Sequence, residues 1–213
     1  ALFAIEVEAD MPVLVKEAKT KLVNARHPLL MLSFKEDKKT VVPLNMQIHE
    51  NLRILLVSGP NAGGKSVCMK TVGLLQLMIQ SGLLIPVHES SEVGIFDQIF
   101  ADIGDDQSIE SDLSTYSAHL KKMRYFVAHA TPKSLVLIDE FGTGTDPQFG
   151  GPMAEAVLEV LNNKKVRGVI TTHYSNLKLF AGNTQGLENA SMLFDNDKMK
   201  PLYVLEIGKP GSS

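Results

Sequence analysis

Short, unbroken apolar runs alternate along the chain with longer stretches in which apolar residues recur at helical spacing. Residues 54–57 are Ile-Leu-Leu-Val with no polar interruption, the pattern of a strand buried on both faces. Residues 134–139 and 166–172 read the same way. Between them, residues 65–81 carry Val67, Val72, Leu75, Met78 and Ile79 on one helical side, with Gly82 placed to cap the C-terminus. Residues 113–130 predict a second helix with Met123 and Phe126 inward and Ser114 or Thr115 as its N-cap, and residues 152–161 predict a third. The segment 96–103 is apolar with acidic interruptions, and 83–87 reads as a strand ended by proline.

The first fifty residues predict short strands instead. Residues 5–8 alternate with period two, and 29–34 and 40–48 flank a charged turn at 35–39. Near the end, 190–194 and 202–207 flank a polar turn and predict a hairpin. Strands alternating with helices, with crossovers long enough for parallel pairing, give an α/β fold. Its sheet is expected to be largely parallel and flanked by helices, with an antiparallel N-terminal strand patch.

Composition narrows the class. The chain has 213 residues, 44% hydrophobic and 21% charged, enough for one sizeable core. No apolar stretch reaches spanning length and no signal pattern precedes the fold. A single cysteine, Cys68, excludes an intrachain disulfide and points to a reducing, cytoplasmic setting, with a packing role for the thiol. The net charge of −3 argues against a self-sufficient grip on nucleic acid, which wants a basic face. The basic runs at 121–124 and 164–167 are read as solvated helix ends. The start at Ala1 and the terminal Gly-Ser-Ser are read as marks of a piece cut from a longer chain.

Each apolar strand ends in reactive residues. Residues 59–66, GPNAGGKS, fit G-x-x-x-x-G-K-[ST], a match expected by chance in roughly one chain in a hundred of this length. A triphosphate needs converging N–H groups, a cation and a hydroxyl for magnesium. The nucleotide-binding stretch is therefore Gly59, Pro60, Asn61, Ala62, Gly63, Gly64, Lys65, Ser66 and Val67. Ser66 and Asp139 are the candidate Mg²⁺ ligands. Glu140, next to Asp139, is the candidate activator of the attacking water, and His173 the candidate contact to that water or the γ-phosphate. An acid directly after the aspartate, and no N-K-x-D for guanine, favour ATP over GTP. No arginine finger is evident in cis. Ser114, at a polar helix start, could instead reach the ATP of a second copy, although a plain N-cap accounts for it equally.

These motifs resemble a known family. GPNAGGKS at 59–66, DLST at 112–115, LVLIDEFGTGTDP at 135–147 and TTHY at 171–174 look like the ATPase domain of MutS-type proteins. ARHPLL at 25–30, the stretch 99–120 and the GTGTDP loop make the second bacterial branch, "MutS two", the nearer resemblance. It implies a P-loop NTPase of the ABC-ATPase type that dimerises with ATP at the interface. Residues 1–22 would end a preceding core or lever region, and 23–213 would be the ATPase domain. Asn61 and Lys65 would contact phosphates, Ser66 and Asp139 would serve Mg²⁺, Glu140 would be the general base and His173 the γ-phosphate sensor. Ser114 would act in trans and the 142–146 loop would cross the dimer. The aromatic residue that mismatch-repair MutS places before its phosphate loop is not evident, Val41 or Val42 occupying that region. The branch implies a machine handling branched or mismatched DNA and suppressing recombination, or one acting on ribosomes, through domains outside these residues. A nucleotide-gated dimerisation switch and a transporter-type ATPase head are the rivals. The second would need an L-S-G-G-Q-like signature that residues 112–117 do not spell.

Overall fold

Two sheets and the helices against them carry the chain in this computed structural model, which describes residues 2–104, 112–143 and 146–211, without the side chains of 36, 61, 112–115 and 147. The N-terminal part comprises α1 (Leu2–Glu6), β1 (Val13–Val15), β2 (Thr20–Ala25), α2 (Pro28–Glu36) and β3 (Leu44–Ile48). Then come β4 (Leu52–Ser58), a 3₁₀ turn (Asn61–Gly63), α3 (Lys65–Gln80), β5 (Glu92–Gly94), β6 (Gln98–Asp102) and α4 (Asp112–His129). The rest is β7 (Ser134–Ile138), α5 (Pro147–Asn163), β8 (Arg167–Thr171), α6 (Ser175–Asn183), β9 (Gly186–Asp195) and β10 (Lys200–Ile207).

Among the described residues the main sheet has six strands in the order β10-β9-β4-β8-β7-β6. Every pairing from β9 to β6 is parallel, and β10 runs antiparallel on β9. The unbroken apolar runs have a direct cause in this layering. Successive side chains of β4 alternate between two cores, Leu55 and Val57 packing with α3 and Ile54 and Leu56 with α4, α5 and α6. Both faces are covered, so neither carries a polar stripe. The smaller sheet, β1-β5-β2-β3, lies against the α3 side. Its β2–β3 and β2–β5 pairings are antiparallel and β1–β5 is parallel, so the N-terminal patch is mixed rather than purely antiparallel.

Several local expectations fail. Residues 5–8 do not form a strand: Val7 N donates to Phe3 O at 3.1 Å in a short helix. Four alternating residues are too few to separate the two periods. Residues 29–34 are helical, because Pro28 sits in the first turn and the Leu-Leu-Met-Leu run has no β-branched residue to resist it. The strand expected over 40–48 begins only at Leu44. Residues 83–87 make a single bridge, Asp10 to Ile85, rather than a strand. Helix α5 starts at Pro147, not Pro152, since the Asp146 carboxylate accepts from Gln148 N at 2.9 Å and caps it upstream of the Gly-Gly-Pro break. Helix α4 begins at Asp112, so neither Ser114 nor Thr115 stands at its N-cap position. Val67, expected on the buried side of α3, is 41% exposed. Helix α6 is too short for its buried pair, Leu177 and Ala181, to announce it. By contrast α3 runs where its pattern put it, and Gly82 closes it at φ 78°. No helix among the described residues is long and apolar enough to cross a membrane.

Candidate functional site

Strands β4, β8 and β7 are neighbours, and their C-terminal ends deliver three of the predicted motifs to one place. Ser58 ends β4, and the chain turns through Gly59 at φ 131° and Gly64 at φ 92°. Both values suit glycine. Space enforces the same choice: a Cβ on Gly59 would lie 3.3 Å from Met192 O, and one on Gly64 would lie 3.0 Å from the Tyr203 ring. Gly64 has no side chain to cap α3, so the first N–H groups of that helix face back toward the loop with their partial positive charge. Lys65 is only 3% exposed and donates to Gly59 O at 2.8 Å. Burial pushes its ammonium pKa below the ordinary lysine value, while Glu140 and Asp139 pull the other way. That opposition puts the buried cation within the field of both carboxylates. Ser66 is half-buried, and Pro60 and Ala62 lie on the open side of the turn.

The acid pair is held by a residue the sequence reading passed over. Thr171, fully buried at the end of β8, donates its hydroxyl to Asp139 Oδ1 at 2.6 Å. Thr171 Oγ1 itself accepts from Glu140 N at 2.8 Å. Asp139 N in turn donates to Asp102 O at 2.9 Å, and Phe141 N to Thr171 O at 2.8 Å. Glu140 sits at φ 48°, a left-handed conformation that costs a non-glycine residue about 1–3 kcal/mol. Its carbonyl accepts from Thr143 N at 3.1 Å and Thr143 Oγ1 at 2.8 Å, which offsets that strain. Tyr174 OH donates to Gly142 O at 2.9 Å and fixes the next peptide. The Asp139 carboxylate and the Glu140 backbone are thus fastened at one strand end.

His173 lies two residues beyond the end of β8. Its Nε2 is buried with no hydrogen-bond partner among the described residues. Burial, with Lys65 and Lys178 close by, holds its pKa below the ordinary imidazole value against the weaker pull of Asp139. A neutral ring here can accept from or donate to a ligand without a second cation crowding Lys65. Lys178 Nζ donates to Gly211 O at 2.9 Å, and Gly211 N donates to Ser58 Oγ at 2.7 Å, so the segment after β10 lies across the root of the loop.

Beside the loop is a pocket of about 300 Å³, lined among others by His27, Val41, Val42, Gly64, Val67 and Tyr203. Its walls are mainly apolar. His27 Nδ1 is buried there without a partner among the described residues, its pKa lowered by burial and by Lys70. An aromatic ring, that of Tyr203, lines this pocket. The expected region before the loop supplies only Val41 and Val42, and the ring comes instead from β10, at a backbone φ of 57°. Nothing in the local sequence of β10 points to this approach. Cys68 lines the same wall from α3, and burial pushes its thiol up to about 12.

The Asn61 side chain, the Ser114 side chain and residues 144–145 of the predicted crossing loop lie outside the described residues. What is described brings Gly59, Gly63, Gly64, Lys65, Ser66, Asp139, Glu140 and His173 to the ends of three adjacent strands.

Residues 55–213 match the family model described as MutS domain V. The whole chain is 50% identical over 213 residues to a Finegoldia magna protein named Endonuclease MutS2, covering 26% of that protein. It is 46% identical over 213 residues to the protein of the same name from Fusobacterium nucleatum, covering 27%, and to that of Clostridium kluyveri, covering 26%. The chain therefore spans about a quarter of the length of the curated relatives it matches.

Proposed function

The chain belongs to the MutS family through its match to domain V, and on that premise we propose that it binds and hydrolyses ATP. The observation that carries the reading is the meeting, at the ends of β4, β8 and β7, of a glycine loop with a buried lysine, an adjacent acid pair and a histidine nitrogen without a partner among the described residues. The N–H groups at the start of α3 and the Lys65 ammonium would cradle the phosphates. The base would enter the apolar pocket against Tyr203. Among the described residues no group of three or more His, Cys, Asp or Glu side chains could hold a metal. Magnesium keeps waters and substrate phosphates in its shell and takes only one or two protein ligands. Ser66 and Asp139 would be those ligands, and the ion would neutralise charge on the β and γ oxygens. Glu140 would accept the proton of the attacking water, and neutral His173 would orient that water or the γ-phosphate.

Ser114, in the first turn of α4, would complete the site of a second copy, so that ATP closes a homodimer. The cycle would drive DNA-handling parts of the longer protein in a cytoplasmic setting. With a net charge of −3, most of the contact to DNA falls to those other parts. The test uses the full-length protein with Glu140→Gln. ATP binding should persist while turnover falls at least about a hundredfold and an ATP-bound dimer accumulates in light scattering. Wild-type hydrolysis in this variant would remove Glu140 from its role. Footprinting of the trapped dimer on branched DNA, beside its sedimentation with ribosomes, decides which polymer the machine handles.

A further inference from the structure

Asp102 closes β6, the strand next to β7, and takes no part in the arrangement above through its side chain. That side chain is 1% exposed, and two residues of α4 converge on it. His119 Nδ1 lies 2.5 Å from Oδ2, and Lys122 Nζ donates to Oδ1 at 2.8 Å. A carboxylate at this depth is tolerated only with such charge-assisted partners. Lys122 belongs to the basic run read from sequence as a solvated helix end; the run lies inside α4 instead, where Lys121 and Arg124 are exposed and Lys122 turns to Asp102. The Asp102 carbonyl meanwhile accepts from Asp139 N. One residue is fastened by its backbone to the strand end bearing the acid pair and by its carboxylate to α4.

The packing of α4 divides at this clamp. Beyond it Met123, Phe126 and Ala130 are buried, and Phe100 packs on Phe126 and Tyr125 at ring separations of 5.1 and 6.1 Å. Before it, from Tyr116 to Lys121, every residue is half-buried or exposed. Among the described side chains, His119 and Lys122 make the hydrogen-bonded hold on α4 nearest to the end of the helix that carries Ser114. Ser114 lies five residues from His119 and nine from Met123, about 7.5 and 13.5 Å along the axis. A swing of roughly 10° displaces it by about 1.3 Å when the clamp holds and about 2.4 Å when the pivot retreats to Met123. Near a reacting phosphate, a misplacement of about 1 Å can cost a hundredfold in rate. The clamp also opens onto the same narrow cleft as the acid pair, lined by Asp102, Tyr116, His119, Asp139, Glu140 and Gly142.

We propose that Asp102 is a positioning residue, whose hold on His119 and Lys122 sets the angle at which α4 presents Ser114 to ATP bound by a second copy. This rests on the reading that Ser114 acts across a dimer.

The experiment uses full-length heterodimers purified through two different tags. One subunit carries Lys65→Ala, so only the other turns ATP over. Asp102→Asn is placed first in the Lys65→Ala subunit, whose α4 would serve the working site, and then in the working subunit. In the first arrangement kcat should fall about tenfold to a hundredfold with KM moved less than about threefold. In the second the fall should be at least about tenfold smaller. Equal falls in both, a fall confined to the second, or no fall in either overturns the proposal. If Asp102→Asn does not fold, His119→Gln is read in the same two arrangements against the same outcomes. Ser114→Ala, put through the same pair, separates the two claims. Its loss must also follow the Lys65→Ala subunit, and a loss that follows the working subunit refutes action across the dimer whatever Asp102 does.

Discussion

Replacing Thr171 with valine tests the geometry of the acid pair with almost no change of volume. The hydroxyl donates to Asp139 Oδ1 at 2.6 Å and accepts from Glu140 N at 2.8 Å, in a fully buried position. Its loss removes a hydrogen bond to a charged group, worth about 1.5–3 kcal/mol, and strands the Glu140 N–H, at a cost of about 1–3 kcal/mol. Glu140 is only half-buried, so water recovers part of this, and the net destabilisation should be about 2–4 kcal/mol. For a chain of this size that is a fall in Tm of roughly 5–15 °C. Freed of this bond, Glu140 can relax from φ 48° and lose its aim, which should lower kcat about tenfold to a hundredfold. The phosphate loop hangs from β4, so nucleotide affinity should move less than about threefold. Calorimetry, steady-state phosphate release and titration with a fluorescent ATP analogue read the three quantities. Thr171→Ser keeps the oxygen and should restore most of the rate. A valine variant with the wild-type kcat, or a serine variant as slow as the valine one, would refute the bridging role.

Three other outcomes follow from the same geometry. Tyr203→Ala should weaken nucleotide binding about fivefold, the loss of roughly 1 kcal/mol of aromatic contact, while Tyr203→Phe binds as the parent does; equal affinity in the alanine variant would take the base out of that pocket. His27 and His173 both have pKa values held below 6.5 by burial, so below 6.5 the unfolded chain binds more protons. Their contribution to stability is therefore complete above 6.5 and is lost as pH falls through the window down to the folded values. His173→Gln should shrink the drop in Tm between about pH 7.5 and about pH 5.5, and an unaltered drop would contradict its burial as a neutral ring. Cys68, raised to about 12, should resist thiol reagents at mildly alkaline pH until the protein is unfolded; rapid labelling of the native chain would show the wall of the pocket to be open.

Much of this molecule is legible in its residue order, and for a physical reason. A strand covered on both faces is apolar along its middle on both sides, so the runs ending at Ser58, Ile138 and Thr171 announce the centre of a parallel sheet. A loop that wraps phosphates needs glycines and a lysine in fixed succession, and an acid pair is visible wherever it ends an apolar strand. Short elements with mixed faces are different. Residues 5–8 and 29–34 carry too few positions to choose between periods, and local contacts such as the Pro28 turn decided them as helices.

Chemistry written in consecutive residues was therefore determined by the sequence alone: the Gly59–Ser66 turn, Asp139 beside Glu140, and His173 after a strand. What only the tertiary structure decided is which distant groups meet them. Thr171 bridges Asp139 and Glu140 because β8 lies between β4 and β7. Tyr203 reaches Gly64 because β10 folds back antiparallel on β9, and Asp102 grips α4 because β6 pairs with β7. Such meetings depend on strand order and on packing summed over the whole sheet, and no window of neighbouring residues carries that information.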